Sequence, residues 1–471
     1  MINRKYLLNN EEMSQFIVNG YLVLKPDYPA GLHQTIHERT EHIFESGDPG
    51  NHIWEQVPEL YEIFDHPVVK GTLQSIIGPN YIMQPHRHCH LNMPDSKGQG
   101  WHQDGTPRKF QGWNHSWRRH HRSRMAMAFY YPQDVSTEMG PTSILPGTQY
   151  YDALNNNESM PGLPICGEAG TIAIVHYEIW HRASANLSPD KRYMMKFLFH
   201  RTEEPQEPSW NLDVESTDLW NRIGSTSDID ITRHPILWKS IWNWYCNQND
   251  NSSTLQPDTL DAHQLVQELD QKTEVAERTE ATYKLGTIGE AAITPIMKQL
   301  SNGISEQKSL NLSAALSAIG GSSIPVLIDM LSHDSSWWKR ACAADTLGDI
   351  GKDANGSVQS LIEALDDESD WVRRNATNSL GIISESLEDT IPALIHAMAD
   401  AQPFVPINAI FALTKIRKSH PNHDSLFTEV ELALHDTLNH QHERVSYYSN
   451  YALEQFNQRP NQFAQEKFRE P

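Results

Sequence analysis

The chain has 471 residues, 38% of them hydrophobic and 21% charged, which excludes a disordered or fibrous polymer and is long enough for two or three globular domains. A formal net charge of −22 argues against non-specific binding to nucleic acid or to an anionic membrane. The four cysteines are scattered with no Cys-x-x-Cys, which excludes a zinc finger or a disulfide framework and fits reduced thiols in the cytoplasm.

The start, Met1 to Met13, is polar and has no apolar core of signal-peptide length. No apolar run approaches the roughly 20 residues that span a bilayer, so no membrane association is expected. Asn10-Glu11-Glu12 predicts a helix N-terminus with Asn10 as cap, and Gly20 ends that helix. Tyr21-Leu22-Val23-Leu24 reads as a buried strand. Helices are expected over 31–47 and 59–77, with a turn at Gly78-Pro79-Asn80. From Tyr81 the texture changes to short β-branched and aromatic runs between Gly, Pro and Asn breaks. Strands are expected at 87–93, 124–131, 142–145, 170–176 and 192–200, the spacing of a sandwich or jelly roll. Trp238, Ile241, Trp242 and Tyr245 recur at helical spacing, and the polar run 247–262 reads as a linker.

From residue 263 to 457 the texture is helical and repeats. Leu285, Leu316, Leu347, Leu380 and Leu413 occupy matching slots, three of them followed by glycine. Pro295, Pro325 and Pro392 recur where a second helix of each unit would start. Trp338-Lys339-Arg340 is echoed by Trp371-Val372-Arg373, and Trp337, Trp338 and Trp371 are read as core. Such units bury their apolar faces only against their neighbours, which makes a solenoid of helical pairs. The stretch 367–381 resembles a HEAT repeat. Residues 458–471 read as a polar tail.

Chemistry is concentrated in Trp101-His102-Gln103-Asp104-Gly105. Residues i and i+2 of a strand point to one face, so His102 and Asp104 can reach one ion together. Two histidines and one carboxylate make the facial triad of non-haem Fe(II) sites, and the distant histidine chosen here is His181, just past a buried strand. His176-Tyr177-Glu178 is a second metal-style pair close by. Arg192 opens the next strand, one layer deeper than the metal, where a guanidinium can pair with a carboxylate. His86, His88 and His90 alternate on one strand, as pocket-lining or structural residues. The insert 106–123, with His120 and His121, reads as an exposed loop or a lid.

Four features then stand in the order and spacing of one family: Trp-His102-Gln-Asp104-Gly; Met-Gly140-Pro141-Thr-Ser-Ile-Leu-Pro146-Gly147; Trp-His181 followed by Asn186 and Ser188; and Arg192, eleven residues after His181. Over residues 10–200 the chain resembles the phytanoyl-CoA dioxygenase family. The resemblance implies a double-stranded β-helix with flanking helices that uses Fe(II), 2-oxoglutarate and O2. It implies that His102, Asp104 and His181 ligate iron and that Arg192 grips the distal carboxylate of 2-oxoglutarate. Asn92 matches a co-substrate-contacting position, and Gln103 lines the pocket in some members. Many members carry serine two residues after the distal histidine; this chain has Ala183 there and Ser184 next. Asp104 favours hydroxylation or a related oxidation over halogenation, because related halogenases replace that carboxylate by a small residue.

The whole chain therefore reads as a jelly-roll oxygenase over 1–246, joined by the linker to an all-α HEAT-like solenoid over 263–457. The expected activity is oxidation of a small organic molecule, with the solenoid as a docking module for a protein partner or for self-association. The alternatives are a hydroxylase of a protein- or carrier-bound substrate presented by the solenoid, and a catalytically silent scaffold.

Overall fold

The computed structural model describes residues 2–104, 120–154, 162–213, 232–248, 261–271, 274–301, 306–383 and 386–457. Tertiary contacts divide the chain into two compact units, Met1–Arg201 with Pro205–Thr287, and Thr202–Glu204 with Ile288–Pro471.

Among the described residues the first unit has eight strands: β1 (Tyr21–Leu24), β2 (Ile82–Asn92), β3 (Met125–Tyr130), β4 (Thr142–Ile144), β5 (Leu163–Pro164), β6 (Ile172–His176), β7 (His181–Ala183) and β8 (Arg192–His200). One sheet has the order β1-β6-β3-β8-β2, and the other β5-β4-β7. Every pairing is antiparallel. Met127, Phe129, Tyr131, Ala173, Val175, Met194 and Leu198 from the larger sheet pack with Ile144 and Ile165 from the smaller one. This is the double-stranded β-helix, and the five expected strands lie within a few residues of their predicted bounds.

Helices flank the sheets. The first runs Asn10–Asn19, and its cap is Asn9 rather than Asn10: the Asn9 side chain accepts from the Glu12 backbone, and Glu12 reaches back to the Asn9 N–H. Asn10 is instead buried, where its side chain binds the Trp210 indole and the Asp213 carbonyl. The helix expected over 59–77 is two, Leu60–Asp65 and Pro67–Ile77, because Pro67 cannot continue a helix but can open one. Pro235–Tyr245 is the amphipathic helix expected near Trp238.

Helices Ala262–Gln271 and Val275–Ile288 lie in the stretch expected to begin the solenoid, yet the first compact unit extends to Thr287. The His121 ring accounts for part of this, bonding the Tyr283 hydroxyl at 2.8 Å, and Arg278 pairs with Asp152 at 3.2 Å. Most of the expected linker and of the insert 106–123, and the whole polar tail, lie outside the described residues.

The second unit is all helical. Leu316, Leu347, Leu380 and Leu413 are fully buried in the helices Glu306–Ile319, Trp337–Ile350, Asp370–Ile383 and Phe404–Ser419. The glycine after the leucine has a steric reason. A Cβ on Gly348 would meet the Ser379 Cα at 2.9 Å, and one on Gly381 would meet the Ala412 Cα at 3.1 Å. Successive repeats therefore touch through backbone. Two successive repeats are also clamped to the next: Arg340 binds both oxygens of Asp367 at 2.6 and 2.9 Å, and Arg373 binds both oxygens of Asp400 at 2.6 and 3.2 Å.

Three expectations change here. Trp337 is 40% exposed, while Trp338 and Trp371 are buried. Pro392 sits inside the helix Leu387–Ala397 rather than at its start. Ser309–His333 is long and apolar enough to pass for a membrane span by length and composition, with mean hydropathy 1.6. A 3-10 turn at Gly320–Ser323 splits it into two helices, and both pack on Trp337–Ile350.

Candidate metal centre

The segment carrying His102 forms no regular strand of its own. His102 and His181 instead make one isolated antiparallel bridge, exchanging N–H···O bonds of 3.0 and 2.9 Å. That bridge brings together ligands far apart in sequence. The donor atoms of His102, Asp104 and His181 all lie within 4.8 Å of one another.

Both imidazoles are fixed in the tautomer a metal needs. The Nδ1 of His102 donates to the Gly100 carbonyl at 2.9 Å, and that of His181 to the Ile179 carbonyl at 3.0 Å. Each Nε2 is left with its lone pair. Burial is the largest influence on His102 and pushes its pKa below the usual histidine value, which keeps it neutral. Asp104 is held well below the usual carboxylate range: burial works against ionisation, but the Lys196 ammonium beside it overcomes this. Two neutral nitrogen donors and one carboxylate fit a divalent transition metal.

Lys196 was not singled out in the sequence. It lies in the interior with its ammonium against Asp104 Oδ2 and 3.4 Å from His181 Nε2. The available signal was strand alternation: Arg192, Met194, Lys196 and Leu198 share one face of β8. The same face of β2 carries His88 opposite Lys196, His90 opposite Met194 and Asn92 opposite Arg192.

Arg192 is 1% exposed. Its Nε and Nη2 donate to the Gly140 carbonyl at 3.1 and 3.0 Å, and Nη1 to the His90 carbonyl at 3.4 Å. No carboxylate pairs with it among the described residues, so a buried cation is held by carbonyl dipoles alone. Such a charge is costly unless an anion joins it. The Tyr131 ring stands 6.0 Å from the guanidinium, and the Tyr131 hydroxyl accepts from the Thr142 N–H at 2.9 Å.

The other expected site residues separate. Asn92 shares the Gly140 carbonyl with Arg192 and also binds the Ser184 carbonyl, both at 3.0 Å. Its amide nitrogen positions Arg192's surroundings. Gln103 is buried, and its amide nitrogen donates to the Tyr151 and Glu178 carbonyls. It ties the His102 segment to the neighbouring turns. Ser184 lies one residue past Ala183, so alternation turns it from the His181 face, and its hydroxyl meets Ser143 at 2.8 Å. His176 is excluded as the distal ligand because it faces away from the core cluster, toward Phe16 and Tyr150. Asn186 secures the β7–β8 connection through the Asn92 and Asp190 carbonyls.

Residues 18–194 match the family described as phytanoyl-CoA dioxygenase (PhyH), and residues 324–414 match HEAT repeats. No curated protein matches the chain by sequence. Among solved structures, the α-ketoglutarate-dependent carbocyclase SnoK from nogalamycin biosynthesis shares 15% identity over 49% of this chain and 97% of its own, with a TM-score of 0.34. HygX from Streptomyces hygroscopicus, with nickel and 2-oxoglutarate bound, shares 16% over 48% and 98%, with a TM-score of 0.34. EctD from S. alaskensis in its apo form shares 14% over 44% and 82%, with a TM-score of 0.35. Residues 18–194 are thus similar to the phytanoyl-CoA dioxygenase family, and residues 324–414 to HEAT repeats.

Proposed function

We propose that the protein is an Fe(II)- and 2-oxoglutarate-dependent dioxygenase that hydroxylates, or otherwise oxidises, an unactivated C–H bond of a small organic substrate. The observation that carries this reading is the convergence of two Nε2 lone pairs and one carboxylate within 4.8 Å, against Lys196 on the face of β8 that also carries Arg192. His102, Asp104 and His181 hold the metal. Together Fe(II), 2-oxoglutarate and O2 supply the oxidising power that removes a substrate hydrogen.

The chain's own residues do the positioning. Gly100 and Ile179 carbonyls hold the two imidazoles in register, which keeps the ligand geometry fixed before metal arrives. Arg192 receives the distal carboxylate of 2-oxoglutarate, and Gly140 and His90 carbonyls orient its guanidinium. Apolar walls from Phe129, Ile144 and Leu198 keep water from the reacting groups. Asp104 supplies the third protein ligand, which favours oxygenation over halogenation. The HEAT repeats act as a docking module for a protein partner.

Anaerobic addition of Fe(II) and 2-oxoglutarate, followed by visible absorption, tests this reading. A weak charge-transfer band is expected in the wild type and in His176→Ala, and none in His181→Ala. A folded wild-type protein without the band would sink the oxygenase reading. A band that survives in His181→Ala but vanishes in His176→Ala would show that the distal ligand is misplaced.

A further inference from the structure

Lys196 is 7% exposed at its side chain and donates to two groups a metal would use, the Asp104 carboxylate and the His181 Nε2 lone pair. An ammonium and a divalent ion cannot both occupy that position, since like charges this close repel strongly in a low-dielectric interior. A metal on Asp104 and His181 would leave the Lys196 ammonium in need of another partner. Its flexible four-carbon stem lets it move, and the groups across the ladder are His88 and His90.

His90 carries the second observation. Its Nε2 is buried and has no hydrogen-bond partner among the described residues. It shares a face of β2 with His88 and Asn92, which stand opposite Lys196 and Arg192 on β8. Its neighbour His88 is 4.7 Å away between ring centroids and already faces Asp48 at 3.6 Å. His90 therefore offers an unused polar atom to whatever enters.

The charges point the same way. On the reading above, a divalent metal, Arg192 and Lys196 bring four positive charges, and Asp104 with the two carboxylates of 2-oxoglutarate brings three negative ones. One positive charge is left in a buried pocket. We propose that Lys196 and His90 form a second carboxylate subsite beside the metal, so that the primary substrate is a carboxylic acid held there by its carboxylate. This inference rests on the proposed Fe(II)/2-oxoglutarate chemistry and goes further by naming the substrate class and the residues that select it.

Co(II), which is stable in air, and three titrations of the full chain test it. Co(II) is added first, then 2-oxoglutarate, then benzoate or acetate, with the visible d–d bands of Co(II) as readout. In the wild type each addition changes the bands. Lys196→Met is expected to bind Co(II) at least as tightly as the wild type, because a competing cation has gone. It is expected to bind 2-oxoglutarate within about threefold of the wild type and to weaken the carboxylate response at least about tenfold, the scale of one lost charge-assisted bond. Lys196→Arg restores the response in part, and His90→Leu weakens it without altering the 2-oxoglutarate step.

Weaker Co(II) binding in Lys196→Met would mean that Lys196 merely organises the ligands, and the proposal falls. A parallel loss of 2-oxoglutarate affinity would assign the subsite to the keto acid's own carboxylate, and the proposal falls again. A wild type that takes up Co(II) and 2-oxoglutarate but ignores both carboxylates overturns the subsite and leaves the proposed function standing. A wild type that takes up neither Co(II) nor 2-oxoglutarate overturns both.

Discussion

Asn92 and Arg192 face each other across the β2–β8 ladder, and both donate to the same carbonyl, that of Gly140. The carbonyl thus orients the guanidinium from one side while leaving its buried charge without an anion among the described residues. That arrangement is ready for a carboxylate and poorly stable without one.

Gly140 is the weak point of this arrangement. Its φ is +67°, a conformation that side chains rarely adopt, and a Cβ there would meet the Asn92 amide, the Ser184 carbonyl at 2.7 Å and the Asn186 nitrogen at 2.9 Å. Gly140→Ala is expected to cost about 1–3 kcal/mol of stability. It should also weaken 2-oxoglutarate binding, because the carbonyl that holds Arg192 moves. Urea unfolding and a 2-oxoglutarate titration measure the two effects. Unchanged keto-acid affinity would separate Gly140 from the site.

Arg192→Met removes the charge while keeping much of the volume. Half-saturation by 2-oxoglutarate is expected to rise about 100-fold, the equivalent of a charge-assisted, bidentate contact. Co(II) affinity should change little, since Arg192 is not among the ligands. Titration of each component separates the two. Equal affinity for 2-oxoglutarate in the variant would relocate the distal carboxylate, with Lys196 the next residue to test.

Acid should destabilise the first unit through two buried histidines. Burial is the largest influence on His176 and His234, and it lowers both to about 4 from an ordinary 6.5. The unfolded chain therefore binds more protons than the folded one between pH 6.5 and 4. Stability is full above pH 6.5 and falls as pH drops through that window, by about 3 kcal/mol for each group by pH 4. Urea midpoints across pH 4–7 measure this, and the double variant His176→Gln, His234→Gln should show a flatter profile. An equally steep profile in that variant would assign the acid sensitivity elsewhere.

The HEAT repeats should be sensitive at the glycines of the Leu-Gly pairs. Gly381→Leu forces a branched side chain into the Ala412 backbone, where even a Cβ lies 3.1 Å from the Cα. Overpacking of this kind costs about 1–3 kcal/mol. Thermal unfolding of the second unit should shift down, whereas Gly356→Leu, at a glycine with open space around its Cβ position, should shift it far less. Equal shifts would mean that the close approach is not what the glycine serves.

How much of this was legible in the chain follows from distance along it. The His102-x-Asp104 spacing, the offset from His181 to Arg192 and the period of the leucines are local patterns, and local stereochemistry decides which side chains share a face. The strands 124–131, 142–145 and 192–200 could be read the same way, from runs bounded by turn residues. The capping residue was misplaced by one position, because two adjacent asparagines look alike until the Glu12 N–H donates to one of them.

What stood across from each face was not legible. Only the bridge between His102 and His181 makes two distant ligands one site, and only the β2–β8 register sets Asn92 against Arg192 and His88 against Lys196. The same alternation that carries His181 inward carries Ser184 outward. Lys196 reads in the sequence as one polar residue in an apolar strand; the register places its ammonium on Asp104. Sequence determines what each segment presents, because that depends on bonds a few residues apart. Tertiary structure decides what each segment meets, because pairing between distant strands depends on the packing of the whole core.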